Sequence, residues 1–196
     1  MSEKLKMGVV GAGVFGGYHA GKCTAHPRVD FIGIYDPDAA RCEAAAEKHA
    51  TTPFSDYNKF LEAADAVVIA APASRHGDMA TQALEAGCHV LIEKPIADNV
   101  EQCRKIVELG EARGLVVQVG HQERFVLKAI GLDRVGEAPL EIRGHRRSPY
   151  SPRGTDVSVT LDLMTHDLDL VLWLMGADPL EISGESRCVK SGTPDT

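Results

Sequence analysis

The chain has 196 residues, a length that fits one large domain or one domain plus part of another. Hydrophobic residues make up 44% of it, which is enough for a core, and a charged fraction of 25% is ordinary for a globular protein. The formal net charge of -7 argues against a general nucleic-acid-binding or membrane-binding surface.

The cysteines and the length of the apolar runs indicate the cellular compartment of the protein. Five cysteines, an odd number without a C-x-x-C pair, indicate reduced thiols rather than a disulfide framework or a zinc site. The first strand is predicted so close to the N-terminus that no room is left for a signal peptide, and no apolar run is long enough to span a bilayer. The sequence therefore predicts a cytoplasmic protein without a membrane, nucleic-acid or metal partner.

The most informative stretch is KMGVVGAGVFGG, at residues 6–17. A short apolar run leads into Gly11, Gly13 and Gly16, which have the spacing of a dinucleotide-binding turn. Glycine allows the sharp turn, the close approach of backbone amides to a pyrophosphate, and the packing of the next helix on the sheet. Val14 and Phe15 lie between the glycines and belong to the expected cofactor site.

A second apolar run, residues 29–35, ends at Asp36, the offset at which a ribose-binding carboxylate is expected. Asp36 would accept hydrogen bonds from the adenosine ribose and repel a 2'-phosphate, so NAD is favoured over NADP. The alternative is that Asp36 caps the next helix, with Pro37 at its first position, and the two roles can coexist. Arg41 lies nearby and could weaken the preference for NAD.

The elements up to residue 120 alternate between strand and helix. Ser74 is expected to cap the fourth helix and Gly87 to stop it, while Asp98 begins the fifth helix in a capping box. The predicted helices are 14–25, 39–50, 56–64, 74–86 and 98–114, and the strands include 29–35, 66–70, 88–92 and 115–119. This alternation predicts a doubly wound parallel sheet covered by helices on both faces, an α/β fold.

From residue 120 the pattern changes. Helices are predicted at 122–134 and 161–175, an irregular loop at 148–154, and strands at 140–146 and 180–189. The expected domains are thus 1–120, which binds the dinucleotide, and 121–196, the start of an α+β open-sheet domain.

Ligands of open parallel sheets bind beyond the carboxyl ends of the strands. Ala71 and Pro72, then Glu93, Lys94 and Pro95, and finally Gly120 and His121 all follow predicted strands, so they should line one groove with the glycine turn. Lys94, between a buried strand and a proline, is suited to bind a substrate oxygen whose charge changes during a reaction. It could instead extend into water beside Glu93.

The helix at 161–175 carries a polar stripe, Asp162, His166 and Asp169, on an otherwise apolar surface. His166 can accept or donate a proton near neutral pH, and Asp162 can orient it or bind the same substrate. The stripe could also face solvent, or bind a metal, although no third ligand motif accompanies it. The other histidines, including His19, are expected to be surface or core residues.

Together these segments resemble the glucose-fructose oxidoreductase / inositol dehydrogenase (Gfo/Idh/MocA) family. The matching motifs are GAGVFGG, YDPD, AAPASRHGDMATQALEAG, HVLIEKPIA, VGHQERF and LDLMTHDLDL. The resemblance implies an N-terminal Rossmann NAD(P)-binding domain followed by an open-sheet domain, and a hydride transfer between nicotinamide and a secondary hydroxyl of a sugar, nucleotide sugar or cyclitol.

The resemblance also implies roles for individual residues. Lys94, Asp162 and His166 match the catalytic lysine, aspartate and histidine, and Arg124 belongs to the substrate side. His166 would take the hydroxyl proton, Asp162 would orient it, and Lys94 would hold the oxygen. The cofactor-binding residues are then expected to be Gly11, Gly13, Val14, Phe15, Gly16, Asp36, Ala71, Pro72, His76, Glu93, Lys94 and Gln122.

Flanking residues favour a branch that includes UDP-N-acetylhexosamine 3-dehydrogenases. The chain is shorter than members of the family, which we interpret as truncation, with a natural short form or an incomplete sequence as alternatives. A homo-oligomer through the second sheet is expected. The competing function is a non-catalytic NAD-binding sensor or regulatory subunit.

Overall fold

The computed structural model of the protein describes residues 3–132, 139–147, 149 and 157–196. The chain divides into two compact units, Met1–Val119 and Gly120–Thr196. Of the loop predicted at 148–154, only Pro149 lies within the described residues.

The first unit is built on a parallel sheet of six strands in the order β3-β2-β1-β4-β5-β6. This order confirms the predicted doubly wound α/β fold, because the chain starts in the middle of the sheet and builds outward in both directions. The strands are β1 (Leu5–Val10), β2 (Val29–Tyr35), β3 (Thr52–Phe54), β4 (Ala66–Ile69), β5 (His89–Ile92) and β6 (Val117–Val119).

Helices cover both faces of the sheet. One buried cluster packs Phe60, Leu84 and Ile106 against β4 and β5, and the other packs Ala20 and Cys42 against β1 and β2. Strands with buried residues on both faces therefore read as continuous apolar runs in the sequence. The helices are α1 (Val14–Ala25), α2 (Ala39–Lys48), α3 (Tyr57–Glu62), α4 (Ala73–Glu85) and α5 (Val100–Arg113).

The N-caps of three helices differ by one or two residues from those that the sequence suggests. The N-cap of α2 is Asp38, whose carboxylate accepts from the backbone amide of Arg41, so Asp36 does not cap this helix. Helix α4 follows Pro72 directly, which places Ser74 inside its first turn. The N-cap of α5 is Asn99 and not Asp98. Neighbouring Asp and Asn residues are equally good caps, so sequence preference alone does not choose between them.

Strand β3 was not predicted. It has three residues, with Pro53 in the middle, and lies at an edge of the sheet next to β2. Proline is tolerated in edge strands because the missing amide is not needed by a neighbour on both sides.

The second unit contains α6 (Glu123–Ala129), a π-helical turn (Thr160–Met164) and α7 (Thr165–Met175). The strands predicted at 140–146 and 180–189 do not form, and Leu140, Leu180 and Ile182 are exposed. A strand requires a neighbour to complete its backbone hydrogen bonds, and alternation of apolar and polar residues does not supply one. The open sheet expected here is therefore absent from the described residues of this unit.

Candidate functional site

The glycine turn connects β1 to α1 and has the backbone that its spacing predicts. Gly11 has φ +97° and donates its amide to the carbonyl oxygen of Tyr35 at 2.8 Å. A Cβ at Gly11 would lie 2.6 Å from the carbonyl oxygen of Ala70, and a Cβ at Gly16 would collide with the carbonyl of Gly11. Both positions therefore require glycine for internal reasons.

Gly13 differs from these two glycines. It is the N-cap of α1, no side chain caps the helix there, and a Cβ at Gly13 would meet nothing within 4 Å. Uncapped amides at the start of a helix favour an anion, and the open space beside Gly13 is what a closely approaching pyrophosphate requires. Val14 and Phe15 follow in the first turn and are exposed. The turn thus fits a dinucleotide.

Asp36 follows β2 and is 6% exposed. Its carboxylate accepts from the amides of Ala12 (2.8 Å) and Asp38 (2.9 Å), and from Arg41 through Nε (3.2 Å) and Nη2 (2.9 Å). Burial alone would raise the pKa of Asp36, but these hydrogen bonds and the charge of Arg41 outweigh it and lower the pKa below its ordinary value. The bond to Ala12 ties Asp36 directly to the glycine turn.

The ends of β4 and β5 meet through His76, in the first turn of α4. This side chain is 2% exposed; its Nδ1 lies 2.7 Å from the carbonyl oxygen of Pro95 and its Nε2 lies 2.9 Å from that of Ala71. Both ring nitrogens therefore contact backbone; the cofactor-binding role that the family resemblance implies for His76 stays a prediction.

Glu93, the first residue after β5, is held by His19 of α1, whose Nε2 lies 2.7 Å from Oε1. Burial would raise the pKa of Glu93, but His19 and the backbone and charge of Lys94 lower it overall. Lys94 itself is half-buried, and its peptide bond to Pro95 is cis. The role of His19 was not foreseen, because 74 residues separate it from Glu93 and no local pattern links them.

The second unit brings Arg124 of α6 together with Asp169 of α7. Arg124 donates Nε to Asp169 Oδ2 at 2.8 Å and Nη2 to Oδ1, and Nδ1 of His121 lies 3.5 Å from Oδ2. This pairing raises the pKa of the Arg124 guanidinium. Asp169, the third member of the predicted polar stripe, is thus an ion-pair partner of Arg124. Gln122 is the N-cap of α6.

Asp162 and His166 lie at the start of the predicted helix, but the backbone there is a π-helical turn followed by α7. His166 is 6% exposed and Asp162 is half-buried. A π-helical turn is often found at functional sites, because it changes the directions in which nearby side chains point. The sequence places Asp162 and His166 one regular α-helical turn apart. The π-helical turn changes the relative direction of these two side chains.

A second ion-pair cluster in this unit was not foreseen. Arg146 donates Nε and Nη2 to Asp167 of α7 at 2.9 Å each, and Glu123 of α6 lies 3.8 Å from Nη2. No motif around Arg146 indicates this partner. Among the described residues, no group of three or more His, Cys, Asp or Glu side chains is placed to hold a metal ion. None of the described helices combines the length and hydropathy of a membrane span.

Comparison with known proteins identifies the family. A family profile described as an oxidoreductase family with an NAD-binding Rossmann fold matches residues 5–121. The chain is 35% identical to UDP-N-acetylglucosamine 3-dehydrogenase of Acidithiobacillus ferrooxidans over 179 residues, which are 91% of this chain and 56% of that protein. It is 29% identical to the NAD(+)-dependent scyllo-inositol 2-dehydrogenase of Bacillus subtilis over 205 residues, 97% of this chain and 60% of that protein.

Solved structures agree. The UDP-N-acetylglucosamine 3-dehydrogenase GnnA of Acidithiobacillus ferrooxidans superposes with a TM-score of 0.89 at 33% identity, covering 99% of this chain and 64% of that one. GenD2 from gentamicin A biosynthesis, in complex with NAD, superposes with a TM-score of 0.74 at 28% identity, covering 90% of this chain and 55% of that one. The chain therefore spans 55 to 64% of the length of these relatives. By its sequence and its fold, the chain belongs to the Gfo/Idh/MocA family of oxidoreductases.

Proposed function

We propose that this protein is an NAD-dependent dehydrogenase acting on a secondary hydroxyl of a sugar, a nucleotide sugar or a cyclitol. The observation that carries the proposal is the carboxyl edge of the parallel sheet, where the glycine turn, Asp36 and Lys94 follow β1, β2 and β5. Open α/β sheets bind their ligands at this edge. Residues 1–120 are thus proposed as the dinucleotide-binding domain, and 121–196 as the start of the substrate and oligomerisation domain.

The proposed cofactor is NAD rather than NADP. The ionised carboxylate of Asp36, fixed by the amides of Ala12 and Asp38, would accept hydrogen bonds from the adenosine ribose once Arg41 moves off it, and its charge disfavours a 2'-phosphate. The space beside Gly13 would admit the pyrophosphate. When bound, NAD supplies the acceptor for a hydride from the substrate carbon.

The proposed chemistry of the chain uses three residues. Lys94 binds the reacting oxygen of the substrate through its ammonium group, which favours the negative charge that grows there. His166 accepts the hydroxyl proton as a general base, and its burial limits competing proton exchange with water. Asp162, one turn earlier, orients the imidazole or the substrate. Arg124, which Asp169 holds, is proposed to contribute to the substrate side.

The relatives support the choice of substrates to test. UDP-N-acetylglucosamine 3-dehydrogenase is among the most similar in both sequence and structure, so we propose UDP-N-acetylhexosamines as the first substrates to test, followed by inositols. We also propose a cytoplasmic homo-oligomer. Since the described part of the second unit has no strand, its exposed apolar side chains, such as Phe125 and Leu172, are the proposed contact.

The test is NADH formation with a panel of UDP-sugars, free sugars and inositols. Lys94→Met and His166→Ala should each abolish NADH formation while NAD still binds in calorimetry. Lys105→Met, at an exposed position of α5, and His26→Ala, at the exposed end of α1, are the matched controls. Ordinary turnover in Lys94→Met or His166→Ala would remove the role of that residue. NAD binding without turnover on any substrate would favour a sensor.

A further inference from the structure

Both neighbours of Lys94 in the chain are held by a histidine, and the two histidines come from different helices. His19 of α1 contacts the side chain of Glu93, and His76 of α4 contacts the backbone carbonyl of Pro95. Neither of these two contacts was predicted from the sequence. Lys94 thus lies between two fixed points.

His76 contacts backbone on both sides of its ring, with Nδ1 2.7 Å from the carbonyl oxygen of Pro95 and Nε2 2.9 Å from that of Ala71. Carbonyl oxygens only accept, so a ring nitrogen that carries a proton donates it to the carbonyl it faces. With 2% exposure, the ring connects the backbone after β4 to the backbone after β5 without contact with bulk water.

Two hydrogen-bonding contacts hold Glu93, one through its backbone and one through its side chain. Its backbone amide donates to the carbonyl oxygen of Ile69, at the end of β4, at 2.9 Å, and its carboxylate contacts His19 Nε2 at 2.7 Å. The backbone on both sides of Lys94 is therefore restrained by α1, β4 and α4. A lysine side chain has four rotatable bonds, so the position of its ammonium group depends on where the backbone holds its Cα atom.

We propose that His19 and His76 are positioning residues that hold Lys94 in place through Glu93 and Pro95. This inference rests on the catalytic role proposed for Lys94. It gives His76 an indirect role, since both of its ring nitrogens are used by backbone carbonyls. An error of 1 Å in the position of a catalytic group can reduce turnover about a hundredfold.

Conservative substitutions separate the two contacts of His76. In His76→Asn the amide nitrogen replaces Nδ1 and keeps the bond to Pro95, whereas in His76→Gln it replaces Nε2 and keeps only the bond to Ala71. Because Pro95 adjoins Lys94, we expect His76→Asn to retain more turnover than His76→Gln. His19→Gln, which can still donate to Glu93, should likewise retain more than His19→Leu.

The expected signature is a fall in kcat of about ten- to a hundredfold in His76→Gln and His19→Leu, with the Kd for NAD changed less than about twofold. His26→Asn, at the exposed end of α1, is the control and should match the wild type. Thermal denaturation of each variant identifies any that fails to fold, and the Asn and Gln variants then carry the comparison. An unchanged kcat, or a loss confined to NAD affinity, would overturn the inference.

A second readout does not require turnover. Lysines are labelled by reductive 13C-methylation, and the resonance of Lys94 is assigned from its loss in Lys94→Arg. We expect this resonance to shift in His76→Gln and His19→Leu but not in His26→Asn. If the wild type binds NAD and oxidises no substrate, the dehydrogenase proposal fails while the Lys94 resonance still decides this inference; an unshifted resonance in folded variants would contradict it.

Discussion

The carboxylate of Asp36 and the guanidinium of Arg41 form a two-pronged ion pair, with Nη2 2.9 Å from Oδ1 and Nε 3.2 Å from Oδ2. The amides of Ala12 and Asp38 occupy the remaining acceptor positions of the same carboxylate. An ionised carboxylate accepts about four hydrogen bonds, so Asp36 is saturated. Ribose hydroxyls could donate to Asp36 only if Arg41 withdrew.

Arg41→Ala should therefore strengthen NAD binding. Arg41 is half exposed, and such an ion pair contributes at most about 1 kcal/mol, which corresponds to a gain in affinity of up to about fivefold. Affinity for NADP should fall, because the variant lacks a cation for the 2'-phosphate. Calorimetry with both cofactors measures the two changes, and Lys48→Ala removes the same charge from the end of α2 as a control. Weaker NAD binding in Arg41→Ala would mean that Arg41 contacts the cofactor.

Two alanine substitutions in the glycine turn should behave in opposite ways. Gly13→Ala should fold normally, because its Cβ meets no atom, but should weaken NAD binding about tenfold or more by occupying the space for the pyrophosphate. Gly16→Ala should lose about 1–3 kcal/mol of stability or fail to fold, because its Cβ collides with the backbone of Gly11. Thermal denaturation and NAD titration measure both effects.

Gly17→Ala is the matched control, since a Cβ there also meets nothing and the position lies inside α1. It should keep its NAD affinity, and its stability should rise by about 0.5–1 kcal/mol, because alanine is favoured over glycine inside a helix. Normal NAD binding by Gly13→Ala would place the pyrophosphate away from this turn.

Asp36→Asn should show a pH-dependent loss of stability. Since the folded protein lowers the pKa of Asp36, its ionised form stabilises the fold above the unfolded value of about 4, and this contribution is lost as the pH falls through the lower folded pKa. We expect Asp36→Asn to be about 1–3 kcal/mol less stable at pH 7, with the difference shrinking below about pH 4. Urea denaturation across this range measures it.

Asp30→Asn, at an exposed position on β2, is the control for a change of charge alone. It should show little difference from the wild type at any pH in the series. A deficit of Asp36→Asn that was equally large in acid and at neutrality would contradict the assignment to the ionised carboxylate.

The cysteines should differ in reactivity. Burial raises the pKa of Cys23 to about 11, which leaves almost no thiolate near neutral pH, whereas Cys188 is exposed. We expect one thiol to react rapidly with a disulfide reagent in the native protein, and all five only after denaturation. Cys188→Ser should remove the rapid phase. A rapid phase that survived in this variant would show that another thiol, such as the partly exposed Cys103, is accessible.

The helices that are predicted best from the sequence are those with a start residue and a stop residue close to their ends. Helix α1 was predicted at 14–25 and occupies Val14–Ala25, because Gly13 precedes it and Pro27 follows. The glycine turn and Asp36 were likewise identified, since their spacing is local. The contacts of His19 with Glu93 and of His76 with Pro95 join residues 74 and 19 positions apart, and no periodicity reports them.

The second unit was predicted less well for a physical reason. Residues 140–146 and 180–189 alternate as a half-buried strand does, but a strand forms only where another strand offers hydrogen bonds. The π-helical turn at Thr160–Met164 was missed for a similar reason, since its composition is that of an ordinary helix. Sequence patterns indicate which side of a helix or strand is buried. They do not indicate which element it packs against, or whether a helix is α-helical or π-helical.

The short strand β3, with Pro53 at its centre, gives the sheet two unequal borders. A proline lacks the amide that an incoming chain would need, so this border resists the edge-to-edge pairing that begins amyloid-like aggregation. The opposite border, β6, carries no proline. The border at β3 therefore carries a protection against an added strand that the sequence of β6 lacks.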